Sequence, residues 1–140
     1  MVFLNKDQLI KLLLEILSEY ESFVTFHSSA ITELIHLLGK SGSEKQFLVK
    51  FTEYLSKLQT RGEQAIGGKG NPLEHLKGES PLCSMRFPFS GSNIRVLFVY
   101  QDEHVYILTA FYEREGHRKT EYSAHTPAAR QRFGDLTKER

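Results

Sequence analysis

The sequence predicts an α+β fold: a small antiparallel sheet with a helical hairpin packed on one face, an extra N-terminal helix and a short C-terminal helix. Three observations carry this expectation. Leu and Ile recur at helical spacing ahead of Gly62. Apolar and polar residues alternate through three runs between Leu82 and Phe111. Gly91-Ser92-Asn93 and Gln101-Asp102-Glu103 divide those runs with the residue types that hairpin turns favour.

Taken in order, Asn5 caps a first helix and Gln8 completes a box-like signal. Leu9, Leu12, Leu13, Ile16 and Leu17 form its apolar stripe, so residues 6–20 read as an amphipathic helix. Residues 22–27 (SFVTFH) are short and β-rich, a strand. Ser28 or Ser29 caps the next helix, which carries Ile31, Leu34, Ile35, Leu37 and Leu38 and ends at Gly39. Ser43 starts a third helix with Phe47, Leu48, Phe51, Tyr54, Leu55 and Leu58 on one face, stopping before Gly62. The short Gly/Ser turn between them makes these two an antiparallel hairpin. Residues 61–80 are rich in Gly and carry Pro72, which reads as a long connection rather than a strand. Its GGKG lacks the spacing of a phosphate-binding P-loop.

The sheet follows. In LCSMRFPF, Cys83, Met85, Phe87 and Phe89 share one face while Ser84 and Arg86 share the other. In IRVLFVY, Ile94, Val96, Phe98 and Tyr100 oppose Arg95, Leu97 and Val99. HVYILTAF is the third run. Thr126-Pro127 has the form of a cap and first turn, opening a short helix that includes Arg130 and Phe133 and weakens at Gly134. Residues 1–140 read as one domain: 1–21 a helical extension, 22–133 the core, 134–140 a frayed tail. With the helices on one face of the sheet, the other is left to hold a polar site.

Composition is that of an ordinary globular domain, and the net charge of +1 selects no class of partner by itself. A single cysteine, Cys83, rules out an internal disulfide and suits a reducing cytosol. The apolar run LIKLLLEIL is interrupted by charge and too short to span a bilayer, so a cytoplasmic chain with no membrane partner is expected. No ligand-spaced His/Cys/Asp/Glu cluster implies a metal, and no motif implies a cofactor.

Charge is uneven along the chain. Between Arg114 and Arg132 lie Arg114, Arg118, Lys119, Arg130 and Arg132 with His117 and His125, against Glu115 and Glu121. A local basic patch of this kind is the footprint of a small phosphate-binding site. Cleaving RNA by transesterification needs a proton acceptor for the 2′-hydroxyl, cations for the developing phosphoryl charge and a proton for the 5′-oxygen. Arg86, Arg95, Arg114, Arg118, Lys119, His117 and Tyr122 together can meet those needs. Singly, each has a structural reading: Arg95 snorkels or pairs with a carboxylate such as Glu113, His117 decorates a turn, and Tyr122 is a core ring with its hydroxyl at the edge.

The ordered segments LEHLKG, SMRF, NIRVLFVY, ILTAF followed by YEREGHRKTEY, and AARQRF resemble the RelE/ParE toxin superfamily, closest to its RelE/HigB-like mRNA interferases. The resemblance covers residues 22–133 and leaves the first helix as an extension. It implies the toxin of a type II toxin–antitoxin pair, a metal-independent endoribonuclease that cleaves ribosome-bound mRNA and inhibits translation. It also implies a cognate antitoxin partner, expected to be a helix-turn-helix protein. By the same resemblance Arg95 contacts the scissile phosphate, Arg114 stabilises transition-state charge, and Tyr122 stacks on a base or aids the nucleophile. His117 falls where other members keep acid/base residues, and Arg86, Arg118 and Lys119 bind RNA. Where some members carry lysines on the strand before the Tyr-Arg strand, this chain has Ser84 and Arg86. A ParE-like gyrase inhibitor, or a non-catalytic domain that only binds its partner, is the other reading.

Overall fold

In a computed structural model, which describes residues 6–41, 43–89, 92–114 and 118–138, a mixed five-stranded sheet is covered on both faces. The elements are α1 (Lys6–Glu19), β1 (Val24–Phe26), α2 (Ser28–Ser41), α3 (Glu44–Arg61), β2 (Leu73–His75), β3 (Cys83–Phe89), β4 (Ser92–Gln101), β5 (His104–Tyr112) and α4 (Arg118–Lys138). The strand order is β1-β5-β4-β3-β2. β2 through β5 pair antiparallel, but β1 joins β5 in parallel, with Thr25 beside Tyr106. The sheet is therefore mixed rather than purely antiparallel.

Alternation sorts the side chains of β3 and β4 as expected. Met85, Phe87, Ile94, Val96 and Phe98 face α1, α2 and α3 and form one core with Leu34, Leu38, Phe47, Phe51, Leu55 and Leu58. Phe47 and Phe87 pack as tilted rings with centres 4.3 Å apart, and Tyr54 donates its hydroxyl to the Arg86 carbonyl at 2.7 Å, fixing the helical hairpin to β3. α1 buries Leu9, Leu13 and Ile16 in the same core. α3 ends at Gly62, whose left-handed φ of 61° and N–H to the Leu58 carbonyl close the helix. The positive φ is what calls for glycine there, and a Cβ would also crowd the Tyr100 hydroxyl at 3.1 Å.

The β4–β5 hairpin turns on Asp102 and Glu103 with φ of 53° and 60°, the left-handed pair of a tight two-residue turn. The register then slips between Leu97 and Phe98, where β5 carries an extra residue. Beyond Ile107 the short β1 no longer covers β5. There the Glu33 carboxylate of α2 accepts from the Ala110 N–H at 3.1 Å and the Thr109 hydroxyl at 2.8 Å, blunting the open edge.

Four further sequence expectations are corrected. The segment 61–80 contains a strand after all, β2, which exists only by pairing with β3. α2 continues through Gly39 to Ser41. The last helix is not a short one opened by Thr126-Pro127: it starts at Arg118, runs through Pro127 and Gly134 and ends at Lys138, so the tail from 134 is largely helical. The second sheet face is not free, because α4 lies on it, packing Tyr122, Ala129, Phe133 and Leu136 against Leu97, Val99, Tyr106, Leu108 and Phe111. The expected cap at Asn5 and the turn residue Gly91 lie outside the described residues. Among the described residues no helix is long and apolar enough to cross a membrane.

Candidate functional site

The face of β2–β4 that meets the start of α4 carries a polar cluster on an otherwise apolar surface. Cross-strand register sets it up: Glu74 lies beside Ser84, and Arg86 lies directly beside Arg95. Two guanidinium-bearing residues opposite one another on adjacent strands repel unless anions stand between them. Glu113, just past β5, supplies one carboxylate. Arg95 donates to it through Nε at 3.2 Å and Nη2 at 3.5 Å, and through Nη1 to the Ile94 carbonyl at 3.1 Å. Arg95 is only 2 % exposed. Arg86 has no such carboxylate among the described residues. Its Nη1 reaches the Gly70 carbonyl at 3.4 Å, and its Nε is buried with no hydrogen-bond partner there.

α4 brings the remaining groups. Arg118 donates to the buried Glu74 at 2.6 Å and sits over the Tyr122 ring, 4.7 Å from its centre. The Tyr122 and Ser84 hydroxyls are hydrogen-bonded at 2.8 Å, binding α4 to β3. Burial raises the Tyr122 phenol above its ordinary range, against the opposing effects of the Ser84 bond and the Arg118 and Arg95 charges. Tyr122 therefore stays protonated at neutral pH. Burial lowers the basicity of Arg118, but Glu74 and its neighbours more than restore it.

The structure thus places Arg86, Arg95, Arg118 and Tyr122 on one face. Arg114 stands at the rim, exposed and bonded to Glu121 at 2.8 Å, so it is tied to α4 rather than aimed at the Arg86–Arg95 pair. His117 and the side chain of Lys119 lie outside the described residues. Glu113 as the partner of Arg95 is the structural reading of that arginine made directly visible. Glu74 escaped sequence reasoning: one carboxylate in a three-residue strand has no periodicity to mark it, and only the pairing with β3 turns it inward. His125 was counted with the basic patch, yet it lies flat on Phe111 with ring centres 4.2 Å apart, and burial lowers its affinity for a proton. Cys83 is inert, its thiol pushed up to about 12 by burial. Among the described residues no group of three His, Cys, Asp or Glu is placed to hold a metal.

Chemically, the cluster is a cationic pair in which one member is answered by a carboxylate and the other keeps a buried N–H without a partner among the described residues, bordered by a protonated phenol. That suits binding of a phosphate-like anion. Comparison with family models, with curated proteins and with solved structures returned no match.

Proposed function

We propose that this chain is a RelE-type toxin, a metal-independent endoribonuclease acting on ribosome-bound mRNA and restrained by a cognate antitoxin. One observation carries the reading: Arg86 and Arg95 stand side by side, Glu113 answers Arg95 alone, and among the described residues the buried Arg86 Nε has no hydrogen-bond partner. A scissile phosphodiester placed there supplies the missing anion. It takes the Arg95 fork from Glu113, and the freed Glu113 carboxylate accepts the 2′-hydroxyl proton. The 2′-oxygen attacks phosphorus, the bond to the 5′-oxygen breaks, and Tyr122 protonates the leaving oxygen, giving a 2′,3′-cyclic phosphate and a 5′-hydroxyl. Arg118, held over the Tyr122 ring, adds charge stabilisation.

A second reading, a ParE-like gyrase inhibitor or a domain that only binds its partner, is favoured by the burial of Arg95 and by the pairing of Arg95, Arg114 and Arg118 with carboxylates. Brief expression with parallel measurement of message cleavage and plasmid supercoiling separates the two. The nuclease reading expects cleavage at ribosome-bound message, unchanged supercoiling, and loss of cleavage on Arg86→Ala. Altered supercoiling with intact message overturns it in favour of gyrase, and no effect on either favours partner binding alone.

A further inference from the structure

Away from the arginine cluster, α1 and α3 border a groove of about 890 Å³. Its floor is apolar, formed by Leu12, Ile16, Tyr20, Leu48 and Val49, and Val49 is 64 % exposed, one of the most exposed large apolar side chains of the described chain. Its two rims differ in charge. The α1 rim carries Glu15 and Glu19, while the α3 rim carries Lys45 and Lys57, its own Glu53 being bonded to Lys50 at 2.9 Å. None of the ion pairs among the described residues uses Glu15, Glu19, Lys45 or Lys57. Phe23, just beyond α1, shares a second cleft with Gln59 and Thr60 near the end of α3, so the C-terminal ends of both helices lie at the same end of the groove.

An acidic rim facing a basic rim across an apolar floor is complementary to itself. We propose that a second copy of this chain occupies the groove, two protomers meeting groove to groove about a two-fold axis that runs along it. Such an axis lays the α1 rim of each copy over the α3 rim of the other, and it keeps level, so Glu19 of one meets Lys57 of the other at both ends of the operation. A two-fold across the groove would instead set acid on acid. The apolar floors, including the two Val49 side chains, are withdrawn from water together. The groove lies on the helical-hairpin side of the sheet, opposite the face that carries Arg86 and Arg95, so the dimer leaves that cluster uncovered in each protomer and does not depend on the nuclease reading.

The test is the mass of the full-length chain in solution by sedimentation equilibrium across a dilution series, with circular dichroism confirming that every variant is folded. Wild type is expected to be a reversible dimer. Val49→Glu, at a position already exposed in the protomer, is expected to yield monomer. Lys57→Glu is expected to raise the dimer dissociation constant by about tenfold or more, because the symmetry reverses two contacts at once, and adding Glu19→Lys to it is expected to recover most of that loss. A wild-type chain that stays monomeric, including one whose groove takes up a different protein, overturns the proposal. So does a dimer indifferent to Val49→Glu, or a paired charge reversal that recovers nothing.

Discussion

At the scale of single residues, the pairing of Arg95 with Glu113 decides how any substitution there must be read. Both side chains are nearly buried, at 3 % and 12 % exposure, so removing one strands the other's charge out of water. Arg95→Ala is expected to cost about 3 kcal/mol of stability in urea titration, the usual scale for breaking a buried pair, and Arg95→Ala with Glu113→Ala to recover part of it. Under the nuclease proposal the double variant recovers stability but not cleavage, since it lacks both the proton acceptor Glu113 and a charge-stabilising donor worth about 10²–10³ in rate. If activity returns with stability, Arg95 is a structural residue. His125 sets a separate, pH-dependent expectation. Burial holds its folded pKa below the ordinary 6.5, with Glu121 opposing, so the folded state prefers the neutral ring. Protonation then favours unfolding: stability falls as pH drops through 6.5 and levels off below the folded value. His125→Phe keeps the stack on Phe111 and should flatten that slope in thermal melts. Glu33 acts lower on the scale. Burial pushes its carboxyl up, but bonds from Arg132, Thr109 and the Ala110 N–H win and hold it below 4.5, so its contribution persists above that value and is lost only as pH falls through the folded pKa.

Among the elements, α4 is the one the sequence misdescribes and the one whose support is most distributed. Thr126-Pro127 reads locally as a helix start, yet Pro127 sits inside a helix that began at Arg118. The helix is held from outside, by Arg118 to Glu74, Arg130 to Glu79 and Arg132 to Glu33, contacts that link residues far apart in the chain. Those partners override the local propensity, and Pro127 itself is exposed, so its ring meets no core. Pro127→Ala is expected to raise the thermal midpoint. Alanine is favoured over proline inside a helix by about 3 kcal/mol. Roughly 1 kcal/mol of that is returned through the freer unfolded chain. A lowered midpoint would mean that a proline bend is what fits α4 to the twisted sheet. The same contrast explains what was legible elsewhere. α1, α3, β3 and β4 announce themselves because a period of burial runs through many consecutive residues of each. β2 does not, since three residues become a strand only when β3 is present to receive them. In the candidate site the cations stood out in the chain, and so did Glu113 as a partner for Arg95, whereas Glu74, which answers Arg118, arrives only through the register of β2 on β3.

For the whole molecule, the sheet is a partition with an apolar core on each side. Deleting residues 118–138 exposes Leu97, Val99, Tyr106, Leu108 and Phe111 together, each worth roughly 1.5–3 kcal/mol when buried. The truncated chain is expected to bind hydrophobic dyes and aggregate in light scattering, and a soluble, dye-silent product would show that the second core is dispensable. The parallel seam between β1 and β5 carries a different consequence, one of timing. Thr25 is made early in synthesis and its neighbour Tyr106 late, with both hairpin helices and three strands translated in between. A nascent chain therefore leaves the ribosome with β1 waiting for a partner still to be made, and closing the sheet must follow the emergence of β5. Ribosome-arrested chains ending upstream of His104 should stay open to protease, and protection should appear only when the last strand clears the exit tunnel.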